Sequence, residues 1–312
     1  MSLKISRIFL LTAMATAIFI VSHPAWAVDW AKIEPKKITL FYPAMSSFEH
    51  LQTRGRHSGS RRYPDKSCAA CHAGSDERPL GDSLVHAEKF KEPAPIPGKP
   101  GAIDTQIKTA HDANNIYVRI EFDPGIQPDA GMDKEFETKV AVMIDDGSVI
   151  EANKAGCWVA CHADVASMSR GVEGRTKYLY ESLAPNQGDT QKDEAALAAM
   201  RSEGKYLEYW QARFNPGAKA AVVDGTVLEK RADNAIRAVK ADAIRNKTGV
   251  WTVTFTRKLK GVPGHKDIVP GKTYNIGFSI HAGHAAKRFH YVSFERTLVL
   301  DDGKADFVAT AK

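Results

Sequence analysis

NIYVRIEF at residues 115–122 and GVWTVTFTR at residues 249–257 decide the fold, because apolar and polar side chains alternate along both stretches. Alternation of this kind predicts strands with one buried and one solvated face. VAVMI at residues 140–144 is apolar throughout and predicts a strand buried on both faces. Residues 274–281 and 289–300 predict two more strands, joined as a hairpin. Separated strands of this kind predict a mainly β protein built as an antiparallel β-sandwich.

The rest of the chain is predicted to add one helical insertion to the sandwich and an irregular segment in front of it. Residues 193–214 have a helical spacing of apolar residues, with Gly204 splitting the helix. Residues 28–100 are rich in proline, glycine and charge, with one short predicted strand at residues 37–42 (KITLFY) and a proline-rich linker at the end. We therefore expect a separate N-terminal segment at 28–100 and a sandwich domain at 101–312.

Composition excludes several classes of protein. The 312 residues are 43% hydrophobic and 26% charged, with a net charge of +6 and both signs interspersed. This mixture excludes a collagen and a wholly disordered chain, and it gives no reason to expect a nucleic-acid partner. Four cysteines are too few for a disulfide scaffold in a chain of this length. The sequence also lacks an HExxH zinc motif, a P-loop and a hydrolase nucleophile elbow.

Residues 1–27 predict a signal peptide. Lys4 and Arg7 form a basic start, and residues 8–21 are an uncharged, mostly apolar run of 14 residues. That run is shorter than the roughly 20 residues of a membrane-spanning helix. Residues 25–27 (AWA) form a small-x-small cleavage site. We expect a mature protein exported to the periplasm without a membrane span, the alternative being a retained N-terminal anchor.

The first cysteine motif points to haem chemistry. CAACH at residues 68–72 is the C-x-x-C-H pattern of covalent haem attachment. Cys68 and Cys71 would add across the two vinyl groups of haem as thioethers, and His72 would coordinate the iron through a neutral imidazole nitrogen. The motif therefore predicts one haem c.

A second motif, CWVACH at residues 157–162, has one more residue between its cysteines. On one turn of helix, positions i and i+4 lie on the same face, so Cys157 and Cys161 could both face one porphyrin edge. His162 would then be the proximal ligand, and Trp158 would lie beside the ring as packing. We expect a second haem c at this motif.

Three other interpretations of the cysteines are open. The four cysteines with His72 and His162 could hold zinc, although zinc pairs usually lack the repeated Cys-His step. In an oxidising compartment the cysteines could instead form disulfides, above all those of the second motif. A C-x-x-C pair can also be a thiol–disulfide active site, but such sites follow a strand, and residues 61–67 are not predicted to be one.

Each iron is expected to take a second axial ligand, because a six-coordinate iron changes geometry little between its oxidation states and so suits electron transfer. For the first haem we favour His57, which lies in a Gly/Ser/Arg loop (GRHSGS) and has no obvious packing role. For the second haem we favour His284, in the predicted hairpin loop where function tends to concentrate. The other candidates are His50, His86 and Met45 for the first haem and His290, His281, Met168 and Met143 for the second. A surface or core side chain without a ligand role is the alternative at every one of these positions.

Several stretches, taken in order, resemble a known family. They are AHD at residues 110–112, NIYVR at 115–119, KVAVMID at 139–145, GCW at 156–158 with CH at 161–162, and GVWTVTFTRKL at 249–259. Their order resembles the haem-binding domain shared by γ subunits of the ethylbenzene dehydrogenase type and related cytochromes c-552. The stretches FYPAMSS, RGRHSGS and CAACH resemble the short cytochrome c segment found ahead of that domain in dihaem members.

The resemblance implies an immunoglobulin-like β-sandwich, a periplasmic location and electron transfer to or from respiratory oxidoreductases. The γ subunits hold a b-type haem through Met and Lys without cysteines, whereas this chain has Cys157, Cys161 and His162, so those axial ligands are not carried over. We expect a dihaem electron carrier rather than an enzyme, with periplasmic or membrane-bound redox proteins as partners. The alternatives are a haem-containing small-molecule reductase or peroxidase and a non-catalytic γ-like subunit of a molybdenum enzyme.

Overall fold

The computed structural model describes residues 28–43, 57, 62–63, 65–74, 77–86, 92, 94–162, 177–185 and 190–312. The predicted signal peptide and three of the ligand candidates lie outside these residues, namely Met45, His50 and Met168. For His86, Cys157, Cys161 and His162 the backbone alone is described.

The described chain is mainly β, as predicted. In chain order the strands are β1 (Lys36–Phe41), β2 (Ala102–His111), β3 (Asn115–Phe122), β4 (Thr138–Asp145), β5 (Ala160–His162), β6 (Lys177–Leu179), β7 (Leu207–Phe214), β8 (Ala221–Val227), β9 (Arg231–Asp233), β10 (Val239–Arg245), β11 (Trp251–Lys258), β12 (Tyr274–His281), β13 (Tyr291–Val292), β14 (Arg296–Leu300) and β15 (Phe307–Ala311). The helices are α1 (Ala69–His72), α2 (Glu77–His86), α3 (Ala152–Ala155) and α4 (Glu194–Ser202), with 3-10 turns at Trp30–Lys32, Gly156–Val159 and Tyr180–Ser182.

The strands form two mainly antiparallel layers that share one core. Pairing runs in the order β10-β11-β3-β2-β1 in one layer and β13-β12-β4-β7-β8-β9 in the other. Two connections join the layers. Phe41 of β1 lies opposite Val292 of β13, and β15 pairs in parallel both with β2 and with β14, which is itself a partner of β12. Rings from β7 and β11 meet between the layers, with centroids 4.5 Å apart for Phe214 and Trp251. The sandwich prediction is confirmed.

The alternating and continuous apolar patterns place strands where the sequence predicts them. In β3 the even-numbered residues from Ile116 to Phe122 are buried in the core and their neighbours are partly exposed. All of β4 is buried. Val140, Val142 and Ile144 face the core, so the alternate residues of β4 point away from it. That second, outward face of β4 forms the floor of a cavity described below.

The predicted helix at residues 193–214 is wrong over its second half. The helix ends at Ser202, and its first turn is capped by Asp193, whose carboxylate accepts a hydrogen bond from the Ala196 N–H at 2.8 Å. Gly204 then turns the chain with a φ of +74°, and residues 207–214 become β7 between β4 and β8. Apolar residues in this stretch fit both a helical and an alternating pattern, and sheet pairing decides between them.

The N-terminal segment contributes a strand to the sandwich. The predicted strand at residues 37–42 is β1, which pairs with β2 along its whole length. Helix α2 lies against this pair, and a Cβ at Gly81 would come within 2.0 Å of the Gly101 carbonyl oxygen. Only glycine therefore permits so close an approach. Within the described ranges, the structure contains no helix long and apolar enough to cross a membrane.

Candidate haem sites

The first cysteine motif folds as a single helical turn. Cys68 precedes α1, and its carbonyl accepts hydrogen bonds from the N–H groups of Cys71 at 3.1 Å and His72 at 2.9 Å. The i, i+3 spacing on this turn puts Cys68 and Cys71 on the same side of the helix. Cys68 is partly buried and Cys71 is exposed, and neither forms a disulfide. The turn of α1 thus brings both thiols and the His72 imidazole within five consecutive residues.

Two hydrogen bonds connect this turn to the sandwich. The Cys68 N–H donates to the carbonyl of Lys154 in α3 at 2.8 Å, and the Ala69 N–H donates to the Glu295 carboxylate at 2.8 Å. Glu295 is 7% exposed, and burial raises the pKa of its carboxyl. The first N–H groups of a helix have no partner within it, so Glu295 satisfies one of them from across the molecule.

A buried ion pair holds the other side of the motif. Arg296, next to Glu295 at the start of β14, donates to Glu77 at 3.0 Å, and both side chains are buried. Glu77 begins α2, and its second carboxylate oxygen accepts the Gly74 N–H at 2.7 Å. Two neighbouring residues of the sandwich, Glu295 and Arg296, therefore hold the start of α1 and the start of α2.

The rings of His57 and His72, the two ligands predicted for the first haem, lie close together and tilted against each other. Their ring centroids are 5.9 Å apart, with 57° between the ring planes. Metal–imidazole bonds of about 2.0–2.1 Å put the centroids of two rings on opposite sides of one metal atom roughly 6 Å apart. His57 is half-buried, and burial followed by the charge of His72 lowers the pKa of its imidazole. A neutral imidazole is the form that binds iron, so this pair fits a six-coordinate haem.

Burial also bears on the thiol–disulfide interpretation of the first motif. It raises the pKa of the Cys68 thiol to about 12, and the nearby Glu295 acts in the same direction. The thiolate is the reactive form in disulfide exchange, and the surroundings of an active-site cysteine lower the pKa of its thiol. Cys68 has the opposite environment, which does not suit a redox-active thiol.

An aromatic cluster of Phe41, Trp158 and Phe294 connects the two cysteine motifs. His72 stacks on Phe294, with centroids 5.9 Å apart and 24° between the planes. Phe294 contacts Trp158 of the second motif at 6.2 Å, and Phe41 lies 4.6 Å from Phe294 and 5.4 Å from Trp158. The two motifs therefore share one set of packed rings.

The second motif is not a helical turn. Its residues form the 3-10 turn Gly156–Val159 and then β5, in which Cys161 pairs with Tyr178 and His162 with Lys177 of β6. The chain enters the turn at Gly156 with a φ of +58°, where a Cβ would lie 2.9 Å from the Cα of Glu295. The extra residue between the cysteines is thus accommodated by a change from turn to strand.

A cavity of about 530 Å³ opens on the outward face of β4, β7 and β12. Ala141 and Ser279 give it a floor of small side chains, and Lys177 stands at its edge, opposite His162 in the β5–β6 pair. Two buried histidines, His281 and His290, form part of the wall, with centroids 4.9 Å apart. Lys177 therefore connects the second motif, through its pairing with His162, to a space of the size of a small-molecule or cofactor pocket.

The cavity is strongly basic. Five cationic residues line it against one acid, Asp133, and the cations are Lys139, Lys177, Arg213, Arg231 and Lys287. Asp133 is already paired with Lys139. Burial, and then the neighbouring Arg231, lowers the pKa of Arg213. Such a lining favours a ligand with carboxylates, and the two propionates of haem meet that requirement.

Both wall histidines are held neutral. Burial is the main cause for each: it lowers the pKa of His281 well below its usual value and that of His290 to about 3. The charges of Lys177 and Lys99 act on His290 in the same direction. Neutral imidazoles in a basic cavity have the donor chemistry that a haem iron requires, so the residues present fit the group.

The sequence model of the ethylbenzene dehydrogenase family matches residues 27–250. The chain belongs to the ethylbenzene dehydrogenase family. The chain is also 32% identical to cytochrome c-552 of Stutzerimonas stutzeri, over 93% of this chain and 96% of that protein. It is 28% identical to cytochrome c-551 of Rhodocyclus tenuis, over 86% of this chain and 92% of that protein. The predicted resemblance to this family and to cytochromes c-552 is confirmed.

Solved structures add a distant similarity. A carbohydrate binding module of family 9 from Caldicellulosiruptor kristjanssonii matches with a TM-score of 0.30 and 11% identity, over 62% of this chain and 65% of that chain.

His284 is bonded to a residue of the cavity lining but does not itself line the cavity. Its Nδ1 lies 2.9 Å from the Asp133 carbonyl, its N–H donates to the Glu137 carbonyl at 2.9 Å, and its φ is +56°. Among the described residues, the histidines that line the cavity are His281 and His290. The ligand role of His284 stays a prediction.

Sequence reasoning missed the residues that connect the motifs to the sandwich. Glu295 and Phe294 are more than 220 positions beyond the first motif, and nothing in their local pattern marks them. The run FERT at residues 294–297 breaks an apolar strand with two charges, which is the one local signal that could have been used. Buried charges in a strand need partners, and here Ala69 and Glu77 supply them.

Proposed function

We propose that this chain is a periplasmic dihaem cytochrome c that carries electrons to or from a respiratory oxidoreductase. The first haem is attached at Cys68 and Cys71 and held by His72 and His57. The second is attached at Cys157 and Cys161, with His162 as its proximal ligand and the basic cavity as its site. When bound, each haem supplies a one-electron couple between two iron oxidation states.

The observation that carries the proposal is the 5.9 Å separation of His57 and His72. Two histidines that bind one iron leave no position for a substrate, which favours electron transfer over catalysis. His72 is fixed by the bonds of α1 and by Phe294, so its ring orientation is set before any partner binds. A rigid ligand set lowers the reorganisation that accompanies a change of oxidation state.

The contact between the two motifs supports a dihaem carrier. The Cys68 N–H is bonded to Lys154, three residues before Cys157, and the aromatic cluster joins His72 to Trp158. Two haems attached at these motifs would be neighbours. An electron accepted at one could pass to the other within the molecule.

Carbon monoxide binding to the reduced protein tests this function. The proposal predicts that the reduced wild type binds no CO and that His57→Ala binds one CO per chain at the first haem. His111→Gln is the matched control, because His111 is the last residue of β2 and its ring is hydrogen-bonded to Asp301. This variant should behave as the wild type. Stoichiometric CO binding by the wild type would overturn the carrier assignment and favour a reductase or peroxidase.

Export and partner choice follow from the same proposal. The predicted cleavage after Ala27 makes Val28 the first residue of the mature chain. A carrier exchanges electrons with a membrane-bound or soluble oxidoreductase and separates from it afterwards. Stable co-purification with a molybdenum-containing subunit would instead favour a γ-like subunit.

A further inference from the structure

The cavity beside the second motif contains a histidine pair with no assigned role. His290 lies between β12 and β13, and His281 is the last residue of β12. Both rings are buried, 4.9 Å apart, and meet at an angle of 76°. Both line the same cavity as Lys177, the backbone partner of His162.

The two rings differ in their hydrogen bonding. The Nε2 of His281 lies 3.0 Å from the carbonyl oxygen of Lys287, to which it can only donate. This bond fixes the His281 ring, and the edge-on contact in turn limits the ring of His290. His290 itself lies beyond the turn that contains Lys287, with its N–H donating to the Arg288 carbonyl at 2.9 Å.

We infer that His290 is the second axial ligand of the haem attached at Cys157 and Cys161, and that His281 is a positioning residue which orients the His290 ring. This inference rests on the proposed function, because it requires a haem in the cavity. The small residues Ala141 and Ser279 leave room beneath the histidines, and the surrounding cations offer partners for the propionates. His284 is bonded to the Asp133 carbonyl and is not a ligand in this assignment.

Low-temperature EPR and near-infrared magnetic circular dichroism of the oxidised full chain test the assignment. The protein is produced in a host that matures c-type cytochromes, and intact mass first establishes that two haems are present. The wild type should show bis-histidine signatures at both haems. A His–Met or His–Lys signature that persists in His57→Ala belongs to the second haem and would contradict the assignment.

Three variants then identify the ligand. His290→Ala should convert one haem per chain to high spin and let one CO bind after reduction, and added imidazole should restore the low-spin signal. His290→Met should give a His–Met signature at that haem. His284→Ala, the matched control from the same loop, should leave both spectra unchanged.

The positioning role of His281 has its own readout. His281→Gln should keep the haem low-spin but shift its EPR g-values, since the His290 ring loses its edge contact. Unchanged spectra in His290→Ala, or a high-spin haem in His284→Ala, would overturn the ligand assignment. A wild-type mass with fewer than two haems would instead contradict the proposed function.

Discussion

Glu295 links the sandwich to the first haem motif through one buried carboxylate. Its Oε1 accepts the Ala69 N–H at the start of α1, and its backbone lies against Gly156 at the start of the second motif. A helix of one turn has little stability of its own, so contacts of this kind determine where it lies. Glu295 therefore positions the helical turn that ends at His72.

Replacing Glu295 with alanine is predicted to destabilise the fold. Glu295→Ala leaves the Ala69 N–H without its acceptor in a half-buried position, which costs about 1–3 kcal/mol of unfolding free energy. Glu295→Gln keeps an acceptor oxygen and should lose less. Urea unfolding followed by tryptophan fluorescence measures both. Equal stability of the alanine variant and the wild type would show that the bond is not needed.

The role of a single residue can be predicted from the sequence where the spacing of a motif defines its chemistry. Cys68, Cys71 and His72 follow from the motif alone, and His57 follows from its place in a loop without a packing role. The structure brings His57 and His72 together, and the ligand role of His57 stays a prediction. Phe294 could not be predicted in the same way, because its contact with His72 depends on the closure of the whole sandwich.

At the scale of elements, alternation predicted strands well and failed where two periods overlap. β3 begins and ends where its alternating apolar pattern does. The apolar residues of 207–214 fit both a helical and a strand period, and the structure has a strand there. The second cysteine motif was also misassigned as a helical turn. Its last residues pair with β6, a strand three residues long whose sequence gives no clear signal.

The turn after β6 predicts a pH dependence of stability. Glu181 lies in the 3-10 turn Tyr180–Ser182, and burial followed by the neighbouring Glu151 raises the pKa of its carboxyl from 4.5 to about 8. Between those values the folded chain keeps a proton that the unfolded chain releases. The unfolding free energy must then fall as the pH rises through this window.

Glu181→Gln removes that proton uptake. The variant should lose less thermal stability than the wild type between pH 5 and about 8. Glu194→Gln changes an exposed glutamate on α4 and should keep the wild-type slope. Melting temperature measured across the pH range compares the three proteins. A wild-type slope in Glu181→Gln would show that the carboxyl does not titrate as the structure implies.

At the scale of the whole molecule, the fold places two distant cysteine motifs side by side. The first motif lies in a segment ahead of most of the sheet, and the second lies between β4 and β7. They meet at the joint that β1 forms between the two layers, where Phe41 of β1 and Phe294 pack together. Neither motif could be placed relative to the other from the sequence, since the joint forms only when β1 pairs with both β2 and β13.

The basic cavity is also a property of the whole fold. Its lining combines small residues of β4 and β12 with cations from five separate stretches of the chain. No single stretch of sequence could therefore predict it. The continuous apolar run of β4 indicated burial on both faces, but it could not show that one face borders a cavity rather than a core.

Intact mass spectrometry of the mature protein, made in a host competent for cytochrome c maturation, tests the central claim most directly. We expect a chain that starts at Val28 and carries two covalently bound haems, with the haem of the first motif released from its Cys71 thioether in Cys71→Ala. A colourless protein with the mass of the bare polypeptide would contradict the account entirely, and a single bound haem would contradict the attachment at Cys157 and Cys161.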